Sequence, residues 1–428
     1  MEKLVIDSQK LYRLPWNMAD NGITWMEPTA QCNLHCYGCY RKNIKNSHKS
    51  MDEIKHELDF IQKQRKTDCI SIAGGDPLLY PNILELVAEI KSRGIKPIVN
   101  TNGIALTKEL LHDLKKAGVF GFTFHIDSKQ GRGRGPEWEG KNEIELNELR
   151  LHYAEMLAAE GNLSCSFNST VYGDTIQYIP ELADWAHKHI DIVNTMVFIL
   201  FRYVTPDFKY DFYAGDKKIV FDDIHYHSDQ EEVTNFVAQD AVKELRKKFP
   251  EFEPAAFLNG TKKADDYKWL LTERIGTKDK IFGYLDNKFL EMVMTTYHWK
   301  NDRYLSYASH KTNGLGRSAL LNLWVLNKSI RKALGKYLKY IAVNPLRALK
   351  KVYTQSVLII QPVDFMPNGD QSMCDSCPDI TYWKDEKTGE EKLVWSCRLE
   401  EPMQYGEFLH TVPKKSDNKI PTDEVTMN

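Results

Sequence analysis

Three cysteines lie close together near the start of the chain. Cys32, Cys36 and Cys39 follow the spacing C-x₃-C-x₂-C. Thiolates placed this closely can bind one compact soft-metal site. A zinc ion or an ordinary iron–sulfur cluster is usually closed by a fourth protein ligand, whereas this motif offers three. A four-iron cluster held by three cysteines keeps one iron open to a small molecule.

Two further motifs follow the cysteines in a fixed order. The run Ile72–Leu78, Ile-Ala-Gly-Gly-Asp-Pro-Leu, begins about 35 residues after Cys39, and the run Val99–Gly103, Val-Asn-Thr-Asn-Gly, ends a predicted strand. In order and spacing the three motifs resemble those of the radical SAM superfamily, over roughly residues 20–205. The chain departs from that pattern at Asp76, where the family usually has Glu.

The resemblance implies that the open iron binds S-adenosylmethionine. Reduction by a donor such as flavodoxin or ferredoxin would then give methionine and a 5′-deoxyadenosyl radical, which abstracts hydrogen from an unactivated C–H bond. The protein would supply orientation and exclude water. Either Tyr37 or Tyr40 is expected over the adenine. The full set of expected cofactor contacts is Tyr37, Gly38, Tyr40, Gly74, Gly75, Asp76, Asn102, Asp127, Ser128 and Asn168.

A second cysteine group lies near the C-terminus. Cys374 and Cys377 form C-x₂-C, and Cys397 follows after nineteen intervening residues. This pattern indicates an auxiliary metal site, as the resembled superfamily often carries in C-terminal extensions. A fourth ligand is not evident. The alternatives are a three-cysteine iron–sulfur cluster with an open iron, which we favour, and a zinc site that adds His410.

Strand-like and helix-like segments alternate between residues 23 and 205. Short connections between such βα units predict a parallel sheet, and six units fit a partial (β/α)₆ TIM-like barrel. Chemistry in such folds lies at the carboxyl ends of the strands, where the motifs above also fall. The fold prediction is therefore α/β, with a mixed, largely helical C-terminal extension. The predicted strands are 23–28, 69–73, 95–100, 120–126, 163–171 and 192–201.

Composition divides the chain into segments of different character. The predicted segments are an N-terminal segment (1–19), the barrel core (20–205), an acidic aromatic-rich extension (206–302), a basic amphipathic segment (303–363), an auxiliary metal-binding region (364–413) and a disordered tail (414–428).

The basic segment stands out against a net charge of −2. Residues 303–363 carry eleven Lys and Arg and no Asp or Glu, so the rest of the chain sums to −2 − 11 = −13. A predicted helix over 316–341 places Leu320, Trp324 and Leu338 on one apolar stripe. We interpret residues 303–351 as a surface for an anionic membrane. A solvated or core-packed face is the alternative, and nucleic acid is disfavoured.

The sequence shows neither a signal peptide nor an apolar run long enough to span a membrane. The clustered cysteines argue for metal in a reducing cytosol rather than disulfides. We therefore expect a cytoplasmic radical SAM enzyme, peripheral at the inner face of the membrane, that acts on a hydrophobic or lipid-like small molecule. A peptide-modifying radical SAM enzyme and a non-catalytic iron–sulfur or zinc protein are the alternatives.

Overall fold

The computed structural model describes residues 6–130, 134–202, 204, 208–224, 236–366 and 368–414. Residues 415–428 of the predicted disordered tail lie outside these ranges. The strands are β1 (Tyr12–Arg13), β2 (Asp20–Thr29), β3 (Lys66–Gly74), β4 (Lys96–Thr101), β5 (Gly121–His125), β6 (Ser164–Val171), β7 (Thr195–Leu200), β8 (Tyr210–Ala214), β9 (Lys217–Lys218), β10 (Ala256–Asn259), β11 (Tyr267–Thr277), β12 (Lys280–Leu285), β13 (Tyr353–Ile360), β14 (Asp364–Phe365), β15 (Gln371–Ser372), β16 (Ile380–Lys384), β17 (Glu391–Trp395) and β18 (His410–Pro413).

The helices alternate with the early strands and then form a separate helical group. They are α1 (Met51–Gln64), α2 (Ile83–Ser92), α3 (Lys108–Ala117), α4 (Asn147–Glu160), α5 (Ile179–Lys188), α6 (Ala238–Lys248), α7 (Asn287–Asn301), α8 (His310–Asn313), α9 (Gly316–Leu323), α10 (Lys328–Val343) and α11 (Glu400–Tyr405).

The predicted parallel sheet is confirmed. Strands β2 to β7 pair in sequence order, each parallel to the next. Local signals fix the helices between them: Ser50 and Glu53 form a capping box before α1, and Gly118 ends α3 with a positive φ of 104°. The fold is therefore the α/β, partial TIM-like barrel that the sequence predicts, with the carboxyl ends of six strands along one edge.

The extension continues this sheet with strands that the sequence did not predict. Strand β13 pairs parallel with β7, so its carboxyl end, Ile360, reaches the same edge as the barrel strands. Strand β11 pairs antiparallel with β13 and places Trp269 opposite Ile360. Strands β10 and β1 complete the row. The sheet therefore brings distant parts of the chain to the edge where the barrel carries its motifs.

The same edge receives the second cysteine group. An isolated bridge pairs Gly260, just after β10, with Cys374. The hairpin of β16 and β17 pairs Ile380 with Trp395, and the Ser396 amide donates to the Asp379 carbonyl. Because these pairings hold both ends of the hairpin together, Cys397 returns to the neighbourhood of Cys377.

The single helix predicted over 316–341 is wrong. Two helices, α9 and α10, meet at a turn over residues 324–326, because the Asn327 side chain caps α10 by accepting from the Ile330 amide at 2.9 Å. The predicted apolar stripe is divided as well: Leu320 is buried, whereas Trp324 and Leu338 are 43% and 49% exposed. Within the described residues, no helix is both long and apolar enough to cross a bilayer.

Candidate functional site

The three N-terminal cysteines lie in the loop that follows β2 and line one cavity of about 260 Å³. The Leu34 amide donates to the Cys32 sulfur, and the Arg41 amide donates to the Cys39 sulfur, both at 3.4 Å. Burial raises the pKa of the Cys32 thiol to about 11, and the Cys39 thiol adds to this rise. Burial likewise raises the pKa of Cys36. Without a bound metal these thiols stay protonated, so metal binding would release protons.

Three cysteine thiols that line one cavity are a donor set suited to a four-iron cluster with one open iron. Among the residues that the structure describes, no three His, Cys, Asp or Glu side chains are gathered tightly enough to hold one metal ion. In a four-iron cluster each thiolate binds a different iron, so the sulfurs stand farther apart than around one ion. Cys32, Cys36 and Cys39 would hold such a cluster at the mouth of the cavity.

Gly74 and Gly75 position the cysteine loop through close backbone contact. A Cβ at Gly75 would lie 2.2 Å from the Gln31 carbonyl oxygen, and one at Gly74 would lie 2.3 Å from the Thr29 carbonyl oxygen. Gly74 also has a φ of 103°, which favours glycine. The Gly75 amide donates to Thr29 at 2.9 Å. The glycine pair therefore joins the end of β3 to the start of the cysteine loop, and both glycines line the cavity.

Asp76 is buried, and its carboxylate is hydrogen-bonded to other residues of the protein. Its carboxylate accepts from the Thr101 hydroxyl at 2.8 Å, from the Asn102 amide at 2.9 Å and from the Leu78 amide at 3.0 Å. It does not line the cavity. The structure therefore places Asp76 as a brace between the ends of β3 and β4, which accounts for a carboxylate at this point of the motif.

Aromatic rings surround the last cysteine of the loop. Gly38 is flanked so closely that a Cβ would lie 2.7 Å from the Tyr172 hydroxyl and 2.8 Å from the Phe201 ring. Tyr40 stacks on Phe201 with ring centroids 5.8 Å apart and lines the cavity. Tyr37 is 50% exposed and lies outside the cavity lining, where its ring is tilted against that of Tyr172 with centroids 5.9 Å apart. Of the two candidate tyrosines, the structure brings Tyr40 into the cavity.

Polar side chains from β4, β5 and β6 form one wall. The Asn102 amide nitrogen lies 3.7 Å from the Cys32 sulfur. The His125 ring contacts Thr170 at 2.8 Å and Asp127 at 3.2 Å. Asn168, opposite His125 in the sheet register, completes the wall. Ser128, by contrast, lines a neighbouring pocket, where its amide donates to Glu143 at 2.7 Å.

Sequence reasoning missed two arginines beside the site. Arg41 bridges Glu27 of β2, at 2.6 Å, and Glu400 of α11. This link ties the cysteine loop to the extension. Arg134 donates to the backbone carbonyls of Asn102 and His125 at 3.0 and 2.9 Å. Neither arginine belongs to a recognisable motif, and the Glu400 partner of Arg41 lies 359 positions away in the sequence.

Cys374, Cys377 and Cys397 open into the same cavity as the first cysteine group. The Cys374 and Cys377 thiols are hydrogen-bonded, and this contact with burial raises the pKa of Cys377. Burial raises the pKa of Cys397 to about 12, with a further contribution from Cys374. All three thiols therefore face one cavity, and those of Cys374 and Cys377 are in direct contact.

The residues around the second group differ from those considered in the sequence. Asp379 lines the cavity beside the three cysteines. His410 instead lies exposed on β18 and stacks on Tyr213 at 5.9 Å. The remaining cysteines, Cys69 and Cys165, are 0% and 1% exposed in the core. Asp379 therefore adds a carboxylate to the lining of the cavity, and no motif in the sequence indicates it.

Part of the cavity wall is apolar. It is formed by side chains from four strands and by one residue just beyond β13: Trp25, Ile199, Trp269, Ile360 and Pro362. Apolar walls with a few placed polar groups are typical of small-molecule sites. The cavity therefore combines two groups of cysteine thiols, polar side chains from β4 to β6 and several apolar side chains.

Comparison with known sequences agrees with this geometry. Residues 26–186 match the family model described as the radical SAM superfamily. The chain is 34% identical over 108 residues to an AdoMet-dependent heme synthase of Methanosarcina barkeri, covering 24% of this chain and 30% of that protein. It is 28% identical over 190 residues to a probable GTP 3′,8-cyclase of Methanococcus maripaludis, covering 39% and 61%. The chain thus spans less than two thirds of these relatives.

One solved structure matches part of the chain. The crystal structure of Streptococcus suis SuiB bound to S-adenosylmethionine matches with a TM-score of 0.35 and 19% sequence identity. The match covers 45% of this chain and 44% of that one.

Proposed function

This chain belongs to the radical SAM superfamily through residues 26–186, and on that premise we propose that it reductively cleaves S-adenosylmethionine. One electron from a flavodoxin- or ferredoxin-like donor would yield methionine and a 5′-deoxyadenosyl radical. That radical takes one hydrogen atom from a substrate C–H bond and leaves 5′-deoxyadenosine and a substrate radical. The observation that carries the proposal is the meeting of Cys32, Cys36 and Cys39 with the polar strand ends around one cavity.

Different residues of the cavity would bind the cluster and S-adenosylmethionine. The three thiolates would hold a four-iron cluster whose open iron supplies the binding and reduction of S-adenosylmethionine. Gly74 and Gly75 hold the loop in place, and Asn102 stands beside Cys32. His125 and Asn168 offer ring and amide groups to the polar part of the nucleoside. Tyr40 supplies an aromatic face inside the cavity.

Cys374, Cys377 and Cys397 would hold a second metal centre. The observation that supports it is the shared cavity, together with the direct contact between the Cys374 and Cys377 thiols. We favour an iron–sulfur cluster over zinc, because soft thiolates in a reducing cytosol suit iron–sulfur centres and three of them leave a site for an exogenous ligand.

The apolar wall supports a hydrophobic small-molecule substrate. Trp25, Trp269 and Ile360 line the same cavity as the two cysteine groups, where a lipid-like molecule would bury apolar surface and expose a C–H bond to the radical. A peptide substrate is the second candidate. The second cysteine group favours it, because an auxiliary centre in the substrate cavity could bind a thiol or amide of a peptide. The wall alone would favour the lipid-like class.

The test uses anaerobically reconstituted protein with dithionite and S-adenosylmethionine. We expect 5′-deoxyadenosine from the wild type and none from the variant with Cys32, Cys36 and Cys39 all changed to Ala. The matched control changes the two core cysteines, Cys69 and Cys165, to Ala and should keep the product. Undiminished product from the first variant would refute the proposal, and absence of product from the wild type would favour a non-catalytic metal protein.

Metal analysis tests the second centre independently of turnover. The variant that lacks the first three cysteines should retain metal at Cys374, Cys377 and Cys397, and its ratio of iron to zinc identifies the type. Loss of all metal from that variant would contradict a second centre. A deuterated lipid and a deuterated peptide would then be offered separately. The one that transfers deuterium into 5′-deoxyadenosine identifies the substrate class.

A further inference from the structure

The helix α10 has one buried face and one outward face. Its buried face consists of Ile330, Ala333, Tyr337 and Tyr340. Phe282 of β12 packs edge-on against both tyrosine rings, each at 5.3 Å between centroids. This face of α10 therefore packs within the protein, whereas Trp324 and Leu338 of the predicted stripe stay exposed.

The outward face of α10 is basic. Lys328, Arg331, Lys332 and Lys339 are all exposed along this face. Of the eleven basic residues in 303–363, only Lys336 and Lys350 form ion pairs within the described part of the chain, with Glu251 and Asp279. Lys328 and Lys332 line a surface pocket together with Glu251 and Asp286 but form no ion pair there, and Lys339 is exposed, so these lysines of the described chain remain accessible to an outside partner.

Exposed apolar side chains lie at both ends of this basic face. Before α10, the turn over residues 324–326 exposes Trp324 by 43%, Val325 by 59% and Leu326 by 73%. After α10, Leu346 and Leu349 are 72% and 82% exposed. Sixteen residues of helix at about 1.5 Å each separate the two ends by roughly 24 Å. Exposed apolar groups of this density mark an interaction surface.

Arginines hold both ends in place. The Arg331 guanidinium donates to the carbonyls of Trp324 and Val325 at 3.2 and 3.0 Å, which fixes the first turn against α10. The Arg347 guanidinium lies 4.5 Å over the Tyr340 ring and donates to the Tyr340 carbonyl. The apolar ends are therefore parts of a pre-organised surface.

We propose that this surface, defined by Lys328, Lys332 and Lys339 with the apolar groups at residues 324–326, 346 and 349, docks on an anionic lipid bilayer. Aromatic and aliphatic groups would enter the interface while the lysines contact lipid phosphates. A second copy of this chain fits poorly, because it would bring the same unpaired positive charges face to face. Nucleic acid would leave the leucines in water without a partner.

The docking surface lies away from the cavity. Tyr340 and Lys350 both contact Asp279, in the turn between β11 and β12. That turn lies beside the start of β13, at the amino edge of the parallel strands, whereas the loop of Cys32, Cys36 and Cys39 follows the carboxyl end of β2. The docking surface and the first cysteine loop therefore lie at opposite edges of the sheet. Docking would anchor the protein with its cavity facing the cytosol, whatever substrate it takes.

Sedimentation with vesicles tests the proposal without any turnover, so its outcome is separate from that of S-adenosylmethionine cleavage. We expect the full chain to bind vesicles that contain phosphatidylglycerol or phosphatidylserine, and to release them as salt rises from 0.1 M to 1 M. Changing Lys328, Lys332 and Lys339 to Gln should weaken binding about 100-fold, at roughly fivefold for each charge. Changing Leu326, Leu346 and Leu349 to Ser should weaken it at least tenfold.

The matched control changes Lys63, Lys108 and Lys387 to Gln, which are exposed lysines elsewhere on the fold, and should bind like the wild type. Circular dichroism confirms that each variant is folded. Binding that the control loses equally would overturn the proposal, because the attraction would then be non-specific. Failure to bind any vesicle would also overturn the proposal. Two further results would do the same: a dimer in size-exclusion chromatography that the leucine variant disrupts, and binding to an oligonucleotide without binding to vesicles.

Discussion

Gly75 is the position where one added methyl group should do the most damage to the first cysteine site. In Gly75→Ala the new Cβ would start 2.2 Å from the Gln31 carbonyl oxygen and 2.5 Å from its carbon. Both are main-chain atoms, so no flexible side chain can move aside. Residues 30 and 31 must shift by roughly 1 Å, since ordinary contacts of this kind exceed about 3.4 Å.

The shift has an energetic and a functional consequence. Overpacking costs about 1–3 kcal/mol. Two hydrogen bonds at the same junction, Gly75 to Thr29 at 2.9 Å and Asp76 to Gln31 at 2.7 Å, would weaken at about 1 kcal/mol each. We therefore expect the free energy of unfolding of Gly75→Ala to be about 3–5 kcal/mol lower than that of the wild type. Displacement of the loop by 1 Å can reduce a rate about 100-fold.

Three measurements check this: urea unfolding, iron content after reconstitution, and the rate of 5′-deoxyadenosine formation. Gly335→Ala in α10 is the control, because nothing lies within 4 Å of the added Cβ. It should gain about 0.5–1 kcal/mol of stability and keep its iron. Wild-type iron content and product formation in Gly75→Ala would refute the idea that this contact positions the cysteines.

Three other substitutions test separate parts of the structure. Burial raises the pKa of Glu273 to about 7, above an unfolded value of about 4.3. The protonated Glu273 carboxyl therefore stabilises the fold at low pH, and this stabilisation is lost as pH rises through 7. Between pH 5 and 8, the free energy of unfolding of the wild type in urea should fall by about 2 kcal/mol relative to that of Glu273→Gln. Parallel pH profiles of the two proteins would contradict this. Glu400→Ala removes a partner of Arg41 and should lower unfolding free energy by about 2 kcal/mol and reduce iron retention, whereas unchanged iron would show that α11 does not support the loop. Gly38→Ala should lower the melting temperature and iron content through contact with Phe201; a melting curve that matches wild type would contradict the tight packing seen there.

Local patterns were enough to predict the barrel. Each βα unit carries its own signals, such as the capping box at Ser50 and the terminal Gly118. Successive parallel strands pair in sequence order, so the alternation alone predicts the sheet and the edge where Cys32, Asn102 and Asn168 gather. Placement followed from topology, without knowledge of side-chain packing.

The assignment of individual roles needed the packing. Asp76 was expected near the cofactor, yet its carboxylate braces two strand ends. Ser128 belongs to a neighbouring pocket. Arg41 reaches Glu400, more than 350 residues away in sequence. Neither spacing nor composition specifies such contacts, because they depend on how β2, α11 and the cysteine loop meet in space.

The extension shows most clearly why spacing can identify a ligand group and still not place it. The C-x₂-C pattern of Cys374 and Cys377 indicates a metal site wherever it lies. Its position depends on β13, whose parallel pairing with β7 adds a seventh carboxyl end to the barrel edge, and on the bridge between Gly260 and Cys374. Both pairings join residues over 100 positions apart. Because these pairings add β13, β11 and β10 to the barrel sheet, residues from the extension and from the first cysteine loop, among them Cys32, Trp269, Ile360 and Cys377, line one cavity.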